Sequence, residues 1–241
     1  MAIGGEPATS SPSPTAASAP DSTVAQSRGL LAEARYAELD QRMNDFQQDY
    51  RSGSLDETAL LQAFGAFGIT NPALQSNFDA WLTVYPNSYA AHLARGIYYF
   101  KSGVQIRGKR YIEHTTQEQI RGMRLYLSKS RLDLQESLAM DTKPMVSYSY
   151  LIRVGMELGE ADANRTLFDA ALKLDSVALI ARRPYLNSLE TRWGGSLEVM
   201  LAFMQESRNA GLTDSQLAVL QKLVDGEREW LKRRRTVTDV Q

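Results

Sequence analysis

Between Arg95 and Arg131 the chain carries nine lysines or arginines and only two acidic residues. Guanidinium and ammonium groups at that density recognise carboxylates or phosphates; they do not by themselves make or break bonds. Arg107, Lys109, Arg110, Arg121 and Arg124 dominate the segment, with Tyr111 and His114 among them. Arginine and tyrosine are preferred interface anchors, because each joins contact area to directed hydrogen bonds. The remainder of the chain balances this charge, leaving a net −1 over 241 residues. The pattern points to a local electropositive surface that docks on an acidic partner. Nucleic acid is not expected as that partner, since it calls for more net positive charge and for aromatics arranged to stack with it.

The residues for catalysis are sparse. His92 and His114 are the only histidines, and cysteine is absent. Disulfides, thiolate nucleophiles, zinc–thiolate sites and iron–sulfur clusters are thereby excluded. His92 falls in a helix whose neighbours read as core. No nucleophile elbow, phosphate-binding loop or metal-ligand spacing is visible. The expectation is a protein that is not an enzyme, with no cofactor and no metal. No stretch approaches the ~18 apolar residues that span a bilayer.

The elements that must position these residues read as helix after helix. Tyr36, Leu39, Met43, Phe46 and Tyr50 recur at spacings of three and four, one apolar helix face. Ser54 with Glu57, Thr115 with Glu118, and Thr213 with Gln216 read as capping boxes. Asn71-Pro72 and Ser88 read as further starts, and Gly53, Gly68, Gly103 and Gly211 as stops. No alternating β-branched segment supports a strand. The expected fold class is all-α, about ten helices in antiparallel hairpins, over residues 27–241. Residues 1–26 are rich in Ala, Ser, Pro and Thr and poor in large apolar side chains. They cannot bury enough surface to offset ordering entropy and are expected to form a disordered linker. They contain no apolar run of signal-peptide length; such a linker often follows a signal peptide already removed. Periplasmic export is the expectation, with a cytoplasmic location as the alternative.

A repeat underlies the helices. Leu167 to Asp175 and Ser130 to Asp141 both read like the end of a tetratricopeptide (TPR) unit. Asp141 and Asp175 lie 34 residues apart, the length of one such unit. Gly103 and Gly159 lie one unit plus about 22 residues apart, which places an insertion near residues 104–126. Such insertions usually map to a loop on the binding face. The first helices of a short TPR-like solenoid would line a groove with Leu93, Ile97, Phe100 and Lys101, then Ser149, Arg153, Met156 and Glu157, then Arg183, Asn187 and Glu190. The Lys/Asn clamp for a terminal carboxylate is missing at Leu93 and Ile97. The groove lined by Arg153, Glu157, Arg183 and Glu190 is the second candidate site. Arg192-Trp193-Gly194-Gly195-Ser196 reads as structural, with two positive-φ glycines, Trp193 buried in the joint and Ser196 as a cap.

Two blocks, Tyr85-Pro86-Asn87-Ser88-Tyr89-Ala90-Ala91-His92-Leu93-Ala94-Arg95-Gly96 and Arg192 to Ser196, resemble the hallmarks of a bacterial family defined only as a domain of unknown function. Arg107-Gly108 and Thr116 through Met123 are similar to it as well, so the resemblance covers about residues 30–210. It implies a TPR-like helical fold and no activity. Within the wider group of exported helical-repeat proteins, the chain resembles immunity proteins for secreted toxins, including phospholipase toxins of the periplasm. What that resemblance implies is a protein partner: a secreted toxin with an acidic surface patch.

Overall fold

The structure, a computed structural model, describes residues 20–108 and 114–238. Among them it is all-helical: α1 (Pro20–Ala32), α2 (Tyr36–Ser52), α3 (Glu57–Gly65), α4 (Gln75–Val84), α5 (Tyr89–Arg107), α6 (Gln117–Ala139), α7 (Met145–Leu158), α8 (Ala161–Leu174), α9 (Leu179–Ser188), α10 (Leu197–Asn209) and α11 (Asp214–Thr238). Short 3-10 turns at Pro72–Leu74 and Thr191–Trp193 link α3 to α4 and α9 to α10. The all-α expectation holds. The helix beyond the expected ten is α1, which begins at Pro20, inside the segment expected to be a linker to residue 26. Its buried face is Ser27, Leu30 and Leu31, so a small hydroxyl stands where periodicity needs a large apolar side chain. Asn77 Nδ2 donates to the Leu31 carbonyl, and Arg28 Nε donates to that of Ala66, tying α1 to the body.

Local chemistry sets the boundaries. Asn71 caps the 3-10 turn before α4, Ser88 caps α5 and Ser196 caps α10, each accepting a backbone N–H. Two expected caps move. Asp56, not Ser54, accepts from Ala59 N at the start of α3. At α6 the capping box is Thr116 with Gln119, one residue beyond the expected pair. Gln119 does a second job: its Nε2 donates to the carbonyls of Ile106 and Arg107, so the start of α6 clasps the end of α5.

Hairpin α5/α6 is the spine. A Cβ at Gly96 would come within 2.9 Å of the Leu134 side chain, and one at Gly122 within 2.8 Å of Ile106. Glycine at these positions lets the two helices approach closely. Ser130 Oγ donates 2.7 Å to the Gly96 carbonyl across the same seam. Asp133 of α6 is 4% exposed and accepts both Nε and Nη2 of Arg95 at 2.8 Å. Residues 104–107 and 117–126 of the expected insertion are helical, so it lengthens this hairpin to 19 and 23 residues against 14 and 14 for α7/α8.

The first residues of α7 and α9, Met145 and Leu179, are 34 positions apart, one repeat length. Helices α5, α7 and α9 lie side by side, and α3 crosses all three. Glu57 at the head of α3 accepts from Ile180 N at 2.9 Å, fixing α3 to the start of α9. Phe64 of α3 and Phe67 in the turn after it are fully buried in the same core as Leu93, Ile97 and Phe100. At the far end, Arg182 is buried against the rings of Phe168 and Phe203; it donates to the Ser176 carbonyl and to Ser207 Oγ.

Candidate functional site

The groove expected along the first helices is half closed. Leu93, Ile97 and Phe100 are at most 5% exposed, because α3 lies over that end. The less enclosed stretch takes in the half-buried Lys101 and Arg153 and the exposed Arg183, with Glu157 shielded near the end of α5 and the turn at Thr191–Trp193. A Cβ on Gly68, in the turn after α3, would meet Lys101 Cε at 3.4 Å, so this turn forms the near wall.

Arg107 belongs to the groove. As the last residue of α5 it reaches across to α7, where its Nη1 lies 3.6 Å from the Glu157 carboxylate. Its guanidinium stands 5.3 Å from the centre of the Trp193 ring. Glu157 is shielded from water, with a side chain 7% exposed, and its Oε2 accepts no hydrogen bond among the described residues. Burial pushes its pKa above the usual carboxylate range, and Arg107 and Arg192 hold it back only in part. Glu190 is likewise buried and pushed up, although Arg192 Nη2 reaches it at 2.5 Å. Glu227 of α11 accepts from Thr191 N at 3.0 Å and so braces the turn that carries Arg192 and Trp193.

Further along, the groove turns cationic. Lys101 from α5, Arg153 from α7 and Arg183 from α9 stand on three neighbouring helices. Burial lowers the pKa of Lys101, and the nearby Arg153 lowers it further. Burial also lowers that of Arg153; the Tyr150 hydroxyl opposes the shift and Arg183 adds to it. Arg183 itself is exposed.

The basic segment is therefore not one patch. Arg121 and Arg124 are exposed on the outer face of α6, on the same stripe as the exposed Leu125 and Leu132. The reason is phase: Met123 and Leu127 are buried toward α5, which turns Arg121 and Arg124 outward. His114 is exposed, and Lys109, Arg110 and Tyr111 lie outside the described residues. Of the second candidate set, Arg153, Glu157, Arg183 and Glu190 do share the groove region, Glu190 as a buried support. Sequence reasoning did not count Arg192 and Trp193 as site residues. Trp193 is half-buried, facing Arg107 and Arg192, where it was expected to be wholly buried. Only Gly194 of the two glycines has a positive φ, +91°.

Among the described residues, no group of His, Asp and Glu is placed to hold a metal ion, and no helix is long and apolar enough to cross a membrane. No curated protein and no solved structure matches the chain. A family model matches residues 23–171, from α1 into α8, which takes in the Tyr85–Gly96 block and leaves the Arg192–Ser196 block outside. The chain thus belongs to the family described as "Domain of unknown function (DUF4034)".

Proposed function

We propose that this protein is a non-catalytic binding module whose open groove receives an acidic segment of a partner protein. The observation that carries the reading is the groove's composition. Arginines from α5, α7, α9 and the Thr191–Trp193 turn converge there with one accessible tryptophan ring, on a rigid helical frame. Arginine and tryptophan dominate interface energetics when packed and desolvated. The narrower form of the proposal is an immunity protein that binds and inhibits a secreted antibacterial toxin, such as a phospholipase effector, in the periplasm. A general scaffold in an envelope or cytosolic complex is the broader form.

The test is partner capture from the native host, followed by kinetics on the captured protein. Arg183→Glu places a negative charge at the exposed rim of the groove. It should slow association about tenfold at low salt, with the difference shrinking as salt rises. If the partner's gene encodes a toxin, co-expression of the wild-type chain should restore growth. An association rate unchanged by Arg183→Glu, or turnover of a substrate by the purified chain alone, would end this reading.

A further inference from the structure

We propose that Lys101, Arg153 and Arg183 form an oxyanion subsite that takes one carboxylate from an acidic peptide segment of the partner; this rests on the groove reading above. Several shielded cations elsewhere in the chain meet carboxylates, whereas the buried Arg182 is held by the Ser176 carbonyl and Ser207 Oγ. Arg95 has Asp133 and Asp79, Arg131 has Glu160, and Lys143 has Asp175 at 3.0 Å. Among the described residues, Lys101, Arg153 and Arg183 share no ion pair with any carboxylate. Their mutual effect is repulsive: Arg153 disfavours the charge on Lys101, and Arg183 disfavours that on Arg153.

The central guanidinium is built in place rather than adventitiously trapped. Its carbon lies 5.7 Å from the centre of the Tyr150 ring, and Tyr150 packs edge-on against Phe100 at 5.5 Å. Arg153 Nε is enclosed and has no hydrogen-bond acceptor among the described residues. A buried donor left unmade costs free energy, as does a desolvated charge without a counter-ion. One bound carboxylate relieves both. It accepts from the Arg153 guanidinium, neutralises the repulsion among three helices, and replaces water that a charged group would otherwise need. A fork of donors held beside the Tyr150 ring suits the planar two-oxygen carboxylate. The exposed Arg183 and the half-buried Lys101 supply the remaining charge at the mouth.

This arrangement separates binding from folding in a way that can be measured. Arg153→Met keeps the packing volume over Tyr150 and removes the charge. The unliganded variant should melt at the wild-type temperature or above it, because an uncompensated cation has gone. Binding of a short polyglutamate peptide, measured by calorimetry on the full chain, should weaken at least tenfold in Arg153→Met and in Lys101→Met. Inorganic phosphate near 20 mM should raise the wild-type melting temperature by about 2–4 °C and leave Arg153→Met unmoved. Tighter binding of the peptide than of phosphate supports a protein carboxylate as the occupant. Phosphate binding without peptide binding, equal binding by wild type and both variants, or no binding by wild type overturns the subsite. Loss of the subsite with undiminished partner capture would leave the groove function standing. Intact peptide binding with no partner recovered would instead strike the proposed function alone.

Discussion

Gly195→Ala is expected to cost about 3 kcal/mol of stability or more. The cause is space, not backbone conformation. A Cβ at residue 195 would stand 1.9 Å from the Leu189 carbonyl oxygen and 2.4 Å from its carbon. Both atoms are backbone, so no rotamer change relieves the clash. Gly195 N donates to the Glu190 carbonyl at 3.1 Å, so the loop from 189 to 196 would have to open. That loop carries Arg192 and Trp193, and the groove would lose one wall with the stability. Its neighbour is the control. Gly194 has a φ of +91° and nothing within 4 Å of its Cβ position. Gly194→Ala should cost only the left-handed penalty, about 1–2 kcal/mol. Urea unfolding of both variants checks this; equal losses would mean that the approach to Leu189 is not the constraint.

Asp133→Asn should cost about 2–3 kcal/mol near pH 6, because it leaves the partly buried Arg95 beside a neutral amide with only the half-exposed Asp79 as counter-ion. Its second signature is in pH. Burial opposes the charge on Asp133, but its hydrogen bonds from Arg95 and contact with His92 outweigh this and hold its pKa low. Its contribution is complete above the unfolded value near ~4 and is lost as pH falls through the folded value. His92 is the mirror case. Burial alone would lower its pKa; Asp133, at 3.5 Å from Nδ1, and the Pro86 carbonyl raise it overall. Its contribution is complete below the unfolded value near ~6.5 and fades as pH rises through the folded value. The wild type should therefore gain most from this cluster between about pH 4 and 6.5. Asp133→Asn should flatten both flanks, whereas His92→Asn should abolish the alkaline one and only weaken the acid one, where Arg95 still holds the Asp133 pKa low. Parallel stability–pH curves for wild type and Asp133→Asn would contradict the assignment.

The hairpins were legible because their signals are local. Asn71-Pro72, Ser88, Ser196 and the Thr213–Gln216 pair act as their spacing predicts. Misplaced caps moved by one or two residues, where a neighbouring Thr116 or Asp56 offered a competing acceptor. What sequence could not reveal was long-range. The crossing of α3 over α5, α7 and α9 depends on Glu57 finding Ile180 N, 123 positions away. That crossing decides which groove positions are core and which stay open. Arg107 read as part of a basic run because its partner Glu157 and its ring Trp193 lie on other elements. The segment's charge was visible in one dimension; the division of Arg107 from Arg121 and Arg124 is a matter of helix phase.

The groove can be set directly against the outer face of α6 by comparing three forms of the chain for one captured partner. These are the wild type, the groove variant Arg153→Met with Arg183→Glu, and the α6 variant Arg121→Glu with Arg124→Glu. All three should fold alike, since the altered arginines are exposed or lack an ion pair with a carboxylate among the described residues. The wild type and the α6 variant should retain the partner with matching affinity, and the groove variant should lose it by tenfold or more. Retention by the groove variant with loss from the α6 variant would contradict the account and move the binding face to Arg121, Arg124, Leu125 and Leu132.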